Sequence, residues 1–108
     1  MKSLVVYYTR TGNTKFVAEI IAAELGSDLE EVVDLKKREG TLGYMGANRD
    51  AISGKLTEIA PTKRSPADYD LIFVGTPVWY WRPSTAIKTY LAKTDLSGKK
   101  VALFFTMD

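Results

Sequence analysis

Two short segments of this 108-residue chain hold residue types whose spacing could do chemistry. The first is Thr9-Arg10-Thr11-Gly12-Asn13-Thr14, which follows the apolar run Leu4 to Tyr8. Its threonine hydroxyls and the Asn13 amide offer hydrogen-bond donors. Gly12 lets the backbone turn with no side chain in the way. A strand ending at Tyr8 and a helix starting within this segment would aim N–H groups and the positive end of a helix dipole at one point, which suits a phosphate. The segment lacks the Gly-Lys-Ser/Thr ending of a nucleotide P-loop and the spaced glycines of a dinucleotide fingerprint. The plainer alternative is a helix cap made of Thr and Asn.

The second segment is Gly75-Thr76-Pro77-Val78-Trp79-Tyr80-Trp81-Arg82-Pro83, which contains both tryptophans of the chain. Three adjacent aromatics between regular elements can stack on a flat ring or grip a partner protein. Beside a phosphate site, the economical reading is a single ligand with a phosphate at one end and a planar ring at the other.

Composition narrows the chemistry further. The chain has no Cys and no His. Disulfides, thiolate catalysis, Cys- or His-based metal sites and the usual general base are therefore excluded. What remains is carboxylate, hydroxyl or amine chemistry, or a reaction carried by a bound cofactor. A net charge of +2 is too small to indicate nucleic acid. Positive charge is concentrated between residues 36 and 64, where Lys36, Lys37, Arg38, Arg49, Lys55, Lys63 and Arg64 face only Glu39, Asp50 and Glu58. That is either a solvated loop region or a landing surface for an acidic partner or a phosphorylated cosubstrate. No apolar run reaches the roughly 18 residues of a membrane span, and no secretory signal opens the chain, so a cytoplasmic protein without membrane contact is expected.

The elements that must hold these segments follow from periodicity. Lys2 to Tyr8 reads as a buried strand and Lys15 to Leu25 as a helix. In that helix Phe16, Val17, Ile20, Ile21 and Leu25 recur at helical spacing, and Gly26 caps the end. Leu29 to Val33 is a second strand, and Asp70 to Gly75 a third whose apolar centre fits burial on both faces. Thr76 to Arg82 is read as a loop, and Pro83 to Lys93 as a helix with Pro in its first turn. Lys100 to Thr106 is a fourth strand. Residues 35 to 66 are irregular, with a short helix expected over Ala47 to Ser53. The order β-α-β-(α)-β-α-β predicts a parallel sheet with helices on both faces, and places both chemical segments at the carboxyl ends of strands, where such sheets bind ligands.

At these segments the sequence resembles the flavodoxin family. The resemblance is carried by Tyr8 to Thr14, by Gly75 to Trp81, and by Asp95-Leu96-Ser97-Gly98-Lys99-Lys100-Val101-Ala102-Leu103-Phe104, which is similar to the family's entry into strand four. It spans nearly the whole chain. It implies an α/β, three-layer open parallel sheet with strands ordered 2-1-3-4 here and a fifth strand missing. It also implies non-covalent FMN and one- or two-electron transfer. Thr9, Arg10, Thr11, Gly12, Asn13 and Thr14 would then hold the FMN phosphate. Thr76 and Pro77 would lie along the ribityl chain, and Val78, Trp79, Tyr80 and Trp81 would supply one wall of the ring site. The implied partners are a redox protein or NAD(P)H and a quinone, with Arg10 and Arg82 as candidates to attract a cosubstrate phosphate.

The sequence also departs from the family. Members usually continue through a second flavin loop, a helix, strand five and a last helix; residues 1–108 are expected to form one domain lacking these. Strand four would then be an edge, and helix one would lose a neighbour. The hypothesis this supports is a fragment, or a half-completed fold that forms homo-oligomers through strand four and helix one. Many carrier flavodoxins are acidic, whereas this chain is mildly basic. Some members place glycine after the stacking tryptophan, where Tyr80 stands here. The competing reading is a flavin-less interaction module that uses the aromatic loop to bind a partner. A receiver domain shares the strand order, but Thr9-Arg10 and Thr76-Pro77 stand where it needs acidic residues.

Overall fold

Leu4 to Tyr8 is apolar at every position, and the structure buries all five residues. Burial on both faces is what a central parallel strand requires. The structure is a computed structural model that describes residues 2–35, 58–79 and 82–107. In chain order its elements are β1 (Ser3–Tyr7), α1 (Asn13–Leu25), β2 (Asp28–Glu31), a single 3-10 turn (Pro66–Asp68), β3 (Leu71–Trp79), β4 (Arg82–Pro83), α2 (Thr85–Lys93) and β5 (Lys100–Thr106).

β1 pairs in parallel with β2 (Val5 opposite Leu29) and with β3 (Leu4 opposite Ile72, Tyr7 opposite Gly75). β5 lies parallel to the other side of β3, from Leu71 opposite Lys100 to Pro77 opposite Thr106. The four parallel strands therefore run β2-β1-β3-β5, the 2-1-3-4 order expected, with β5 as the fourth of them. The two-residue β4 turns back antiparallel on the end of β3 (Val78 opposite Pro83, Trp79 opposite Arg82).

Side chains alternate across the sheet. Leu4, Val6, Ile72 and Val74 pack with Ala86, Ile87 and Tyr90 of α2. Val5 and Tyr7 pack on the other face with Ala18 and Ala22 of α1, flanked by Phe73 and Phe104. Helices on opposite faces make the three layers.

Several elements differ from the sequence expectation. α1 starts at Asn13 rather than Lys15, and its buried residues are Thr14, Ala18 and Ala22. Phe16 (65% exposed), Ile20 and Leu25 point away from the sheet. Small residues repeating every fourth position let the helix lie close on β1, and the bulky apolar positions fall elsewhere around it. β2 ends at Glu31 rather than Val33. Val32 still donates to the Tyr7 carbonyl at 2.7 Å, after which Asp34 bridges antiparallel to Ile59. β3 continues to Trp79, because β5 keeps pairing beside Thr76 and Pro77 and β4 pairs with Val78 and Trp79. Pro83 lies in β4, and Ser84 rather than Pro83 begins the second helix, its Oγ accepting from the Ile87 N–H at 3.3 Å. The short helix expected over 47–53 lies outside the described residues.

Candidate functional site

β1 and β3 are neighbours, so the segments that follow them emerge side by side at the carboxyl end of the sheet. The Tyr8 N–H donates to the Gly75 carbonyl at 3.1 Å and ties the two exits together. A Cβ at Gly75 would overlap the ring of Phe104 on β5, so a side chain there would force one of the two to shift.

The turn after β1 is built locally. The Gly12 N–H donates to Thr9 Oγ1 at 2.9 Å, closing residues 9–12. Gly12 is the N-cap of α1 in a left-handed conformation, φ 101°, that strongly favours glycine. Its carbonyl accepts the first helical bond, from the Phe16 N–H at 3.0 Å. As N-cap, Gly12 brings no side-chain bond to this helix start, and no acidic residue stands in its first turn. The positive end of the dipole is therefore not neutralised from within the turn. Thr11, Gly12 and Asn13 are exposed, and Thr9 and Arg10 are half-buried. Thr14 is fully buried, and its hydroxyl shares a 2.6 Å hydrogen bond with the hydroxyl of Thr106 at the end of β5.

The segment after β3 is anchored by Thr76, also fully buried. Its Oγ1 accepts from the Ser84 N–H at 2.9 Å and lies 2.9 Å from both Ser84 Oγ and the Pro77 carbonyl. The Thr76 hydroxyl thus fastens the strand end to the cap of α2. Pro77 is buried and Val78 half-buried beside it. Trp79 ends β3. The Trp79 and Arg82 side chains, all of Tyr80 and Trp81, and the basic residues between 36 and 57 lie outside the described residues.

Sequence reasoning missed two contributors. Thr106 carries no local signal, because its partner is 92 positions away. Ser84 was legible in principle as a helix N-cap just after a proline, but Pro83 was read as part of the helix.

Two remaining basic residues of the 36–64 segment are placed elsewhere. Lys63 and Arg64 give their backbone N–H groups to the buried Glu30 carboxylate at 2.9 and 2.7 Å. With Lys93 and Lys99 they line an open cavity of about 570 Å³ at the far, amino end of the strands. Arg64 is already held there by the Leu29 carbonyl and Asp28, and Lys99 by the Ala67 carbonyl. That cavity is remote from the paired strand exits. Among the described residues no group of acidic side chains could hold a metal, and no helix is long and apolar enough to cross a membrane.

An open parallel sheet of this order, with a glycine-turned helix start beside a second strand exit, defines a flavodoxin-like α/β protein. The chain belongs to the flavodoxin family, whose model, described as flavodoxin, matches residues 2–108. Among curated proteins it is similar to Flavodoxin 1 of Salmonella typhimurium, 28% identical over 98 residues that make up 87% of this chain and 43% of that protein. The chain thus spans less than half the length of the curated relatives it matches. Among solved structures it resembles a flavoprotein from Lactobacillus acidophilus in complex with FMN, at 35% identity and a TM-score of 0.85, covering 98% of this chain and 74% of that one. The apo form of the flavoprotein from the same organism superposes with a TM-score of 0.74 at 36% identity, over the same shares.

Proposed function

We propose that this chain binds FMN without a covalent bond and serves flavin-dependent electron transfer, as a carrier or as the flavin-bearing part of an NAD(P)H-dependent oxidoreductase. The observation that carries the reading is the juxtaposition of the Gly12-turned start of α1 with the exit of β3, fixed by the bond from Tyr8 to Gly75. The residues present fit the cofactor. The donor set of Thr9, Thr11, Asn13 and the first-turn backbone suits a phosphate. Nothing lies within 4 Å of where a Gly12 Cβ would stand, so a ligand can approach the backbone there. The names of the relatives and the FMN complex of the Lactobacillus acidophilus flavoprotein support the same assignment.

When bound, FMN supplies the one- or two-electron chemistry that a chain without His or Cys does not provide itself. The protein's part is binding and orientation. Thr9 closes the turn, while Thr11 and Asn13 donate to the phosphate and Arg10 adds positive charge. Thr76 and Pro77 would lie beside the ribityl chain, and Val78, Trp79, Tyr80 and Trp81 would supply one wall of the ring site.

Titrating the apo-protein into FMN while following flavin fluorescence tests the binding. Saturable quenching is expected, with riboflavin bound more weakly for want of the phosphate. Fluorescence unchanged at high micromolar protein would overturn the assignment. Steady-state NADH and NADPH oxidation with a quinone acceptor then separates the two roles, a reductase turning over and a carrier not.

A further inference from the structure

We infer that Thr76 is a positioning residue for the flavin ring, acting on Trp79 through the Ser84 N–H. The inference rests on the FMN reading above and deepens it. β3 and β4 pair over two positions, Val78 opposite Pro83 and Trp79 opposite Arg82. A hairpin this short is marginal by itself. Proline has no N–H, so Pro83 brings no donor to the ladder. The same register sets Ser84 opposite Pro77, which has none either. β5 pairs with β3 as far as Pro77 and leaves Val78 and Trp79 to β4.

The Thr76 side chain supplies what the two prolines withhold. Its Oγ1 accepts the Ser84 N–H at 2.9 Å and lies 2.9 Å from Ser84 Oγ. Both residues are fully buried, where an amide left without its acceptor is costly. The contact closes residues 77–83 at their base, just below the Val78–Pro83 pair. Register matters here because a slip of one residue moves every side chain of a strand to the other face. The Thr76–Ser84 bond thus fixes the face of the hairpin on which Trp79 falls, and through it the stacking of the ring. Thr76 does this without touching the ring itself.

The test reads the fluorescence that FMN retains at saturation, which reports stacking on an aromatic ring rather than affinity. Thr76→Val keeps the shape and deletes the acceptor; Thr76→Ser keeps the acceptor. Thr76→Ala deletes it with less crowding and takes the place of Val if that variant does not fold. We expect Thr76→Val to weaken FMN about 3- to 10-fold, the scale of one lost hydrogen bond. The saturated flavin should also be brighter than in the wild type, and Thr76→Ser should restore both readings. Ile87→Val trims the core of α2 away from this contact and controls for lost stability. Its saturated fluorescence should match the wild type. In a Trp79→Phe background Thr76→Val should no longer change the signal. Equal saturated fluorescence in Thr76→Val and wild type would overturn the inference. So would the same brightening in Ile87→Val, or brightening by Thr76→Val that persists with Trp79→Phe. A wild-type chain that leaves FMN unquenched would instead bring down the FMN reading, and this inference with it.

Discussion

Tyr7 shows how one residue couples the site's foundation to pH. It is buried at the end of β1, and its hydroxyl donates to Glu31 Oε1 at 3.2 Å. Burial first, then the negative charge of Glu31, raises the phenol from 10.0 to about 12. Between those values the folded chain keeps a proton that the unfolded chain has lost. Stability from Tyr7 is thus fully present below pH 10.0 and disappears as pH climbs towards about 12. Tyr69 and Tyr90 shift in the same direction, so the wild-type decline has several sources. Tyr7→Phe should flatten part of it while changing stability near neutrality by only about 1 kcal/mol, the worth of one hydrogen bond. Denaturant melts of both proteins across the alkaline range read this directly, and parallel slopes would remove Tyr7 as a source. Thr9 and Gly12 were legible as turn residues because their work is local: a bond that closes the turn and a left-handed φ. The pairs Tyr7–Glu31 and Thr14–Thr106 were not, because each depends on which strands become neighbours.

Among elements, β3 carries the most, since both β1 and β5 pair along it. Gly75 marks where its partners crowd it. A Gly75→Ala methyl would meet the Phe104 ring, and overpacking of this kind costs about 1–3 kcal/mol. We expect a lower denaturation midpoint for Gly75→Ala and, on the proposed FMN reading, weaker FMN binding, because the Gly75 carbonyl holds Tyr8 just before the turn over residues 9–12. Adding Phe104→Leu should recover part of the lost stability, and an unchanged midpoint for Gly75→Ala would contradict the packing argument. The apolar runs of β1, β3 and β5 were readable because two-sided burial removes polar residues from a strand. The end of β3 was not, since Thr76-Pro77 has turn chemistry and the strand is extended by β5 beside Thr76 and Pro77 and by β4 beside Val78 and Trp79. The buried face of α1 was misleading for a different reason: its small residues pack inwards, while Phe16 and Ile20 carry the stronger apolar signal outwards.

For the whole molecule, the alternation of strand and helix was enough to give a parallel sheet with helices on both faces, because right-handed crossovers leave few other arrangements, while the 2-1-3-4 order came from the resemblance to the flavodoxin family. The fold also leaves one sheet edge, at β5, unpaired among the described residues. Among the described residues β5 pairs with β3 alone, so one edge of this seven-residue strand offers its backbone groups outwards. Val101, Leu103 and Phe105 share the face covered elsewhere by α2, and each is 41–54% exposed. An exposed edge with apolar side chains at alternate positions is a template for another strand. The same edge on a second copy offers a matching one: pairing the two β5 strands antiparallel about a two-fold axis would satisfy both backbones and set their apolar residues beside each other. We therefore predict that the 108-residue chain self-associates through β5. Light scattering should show a mass rising with concentration from 12.0 kDa towards twice that value. Leu103→Lys together with Phe105→Lys should hold the chain at the lower mass, since charge on an edge strand opposes pairing. Both side chains lie on the face away from Thr14 and α1, so FMN binding by that variant should be retained. A wild-type chain that stays at 12.0 kDa at every concentration would show that the β5 edge does not recruit a second copy.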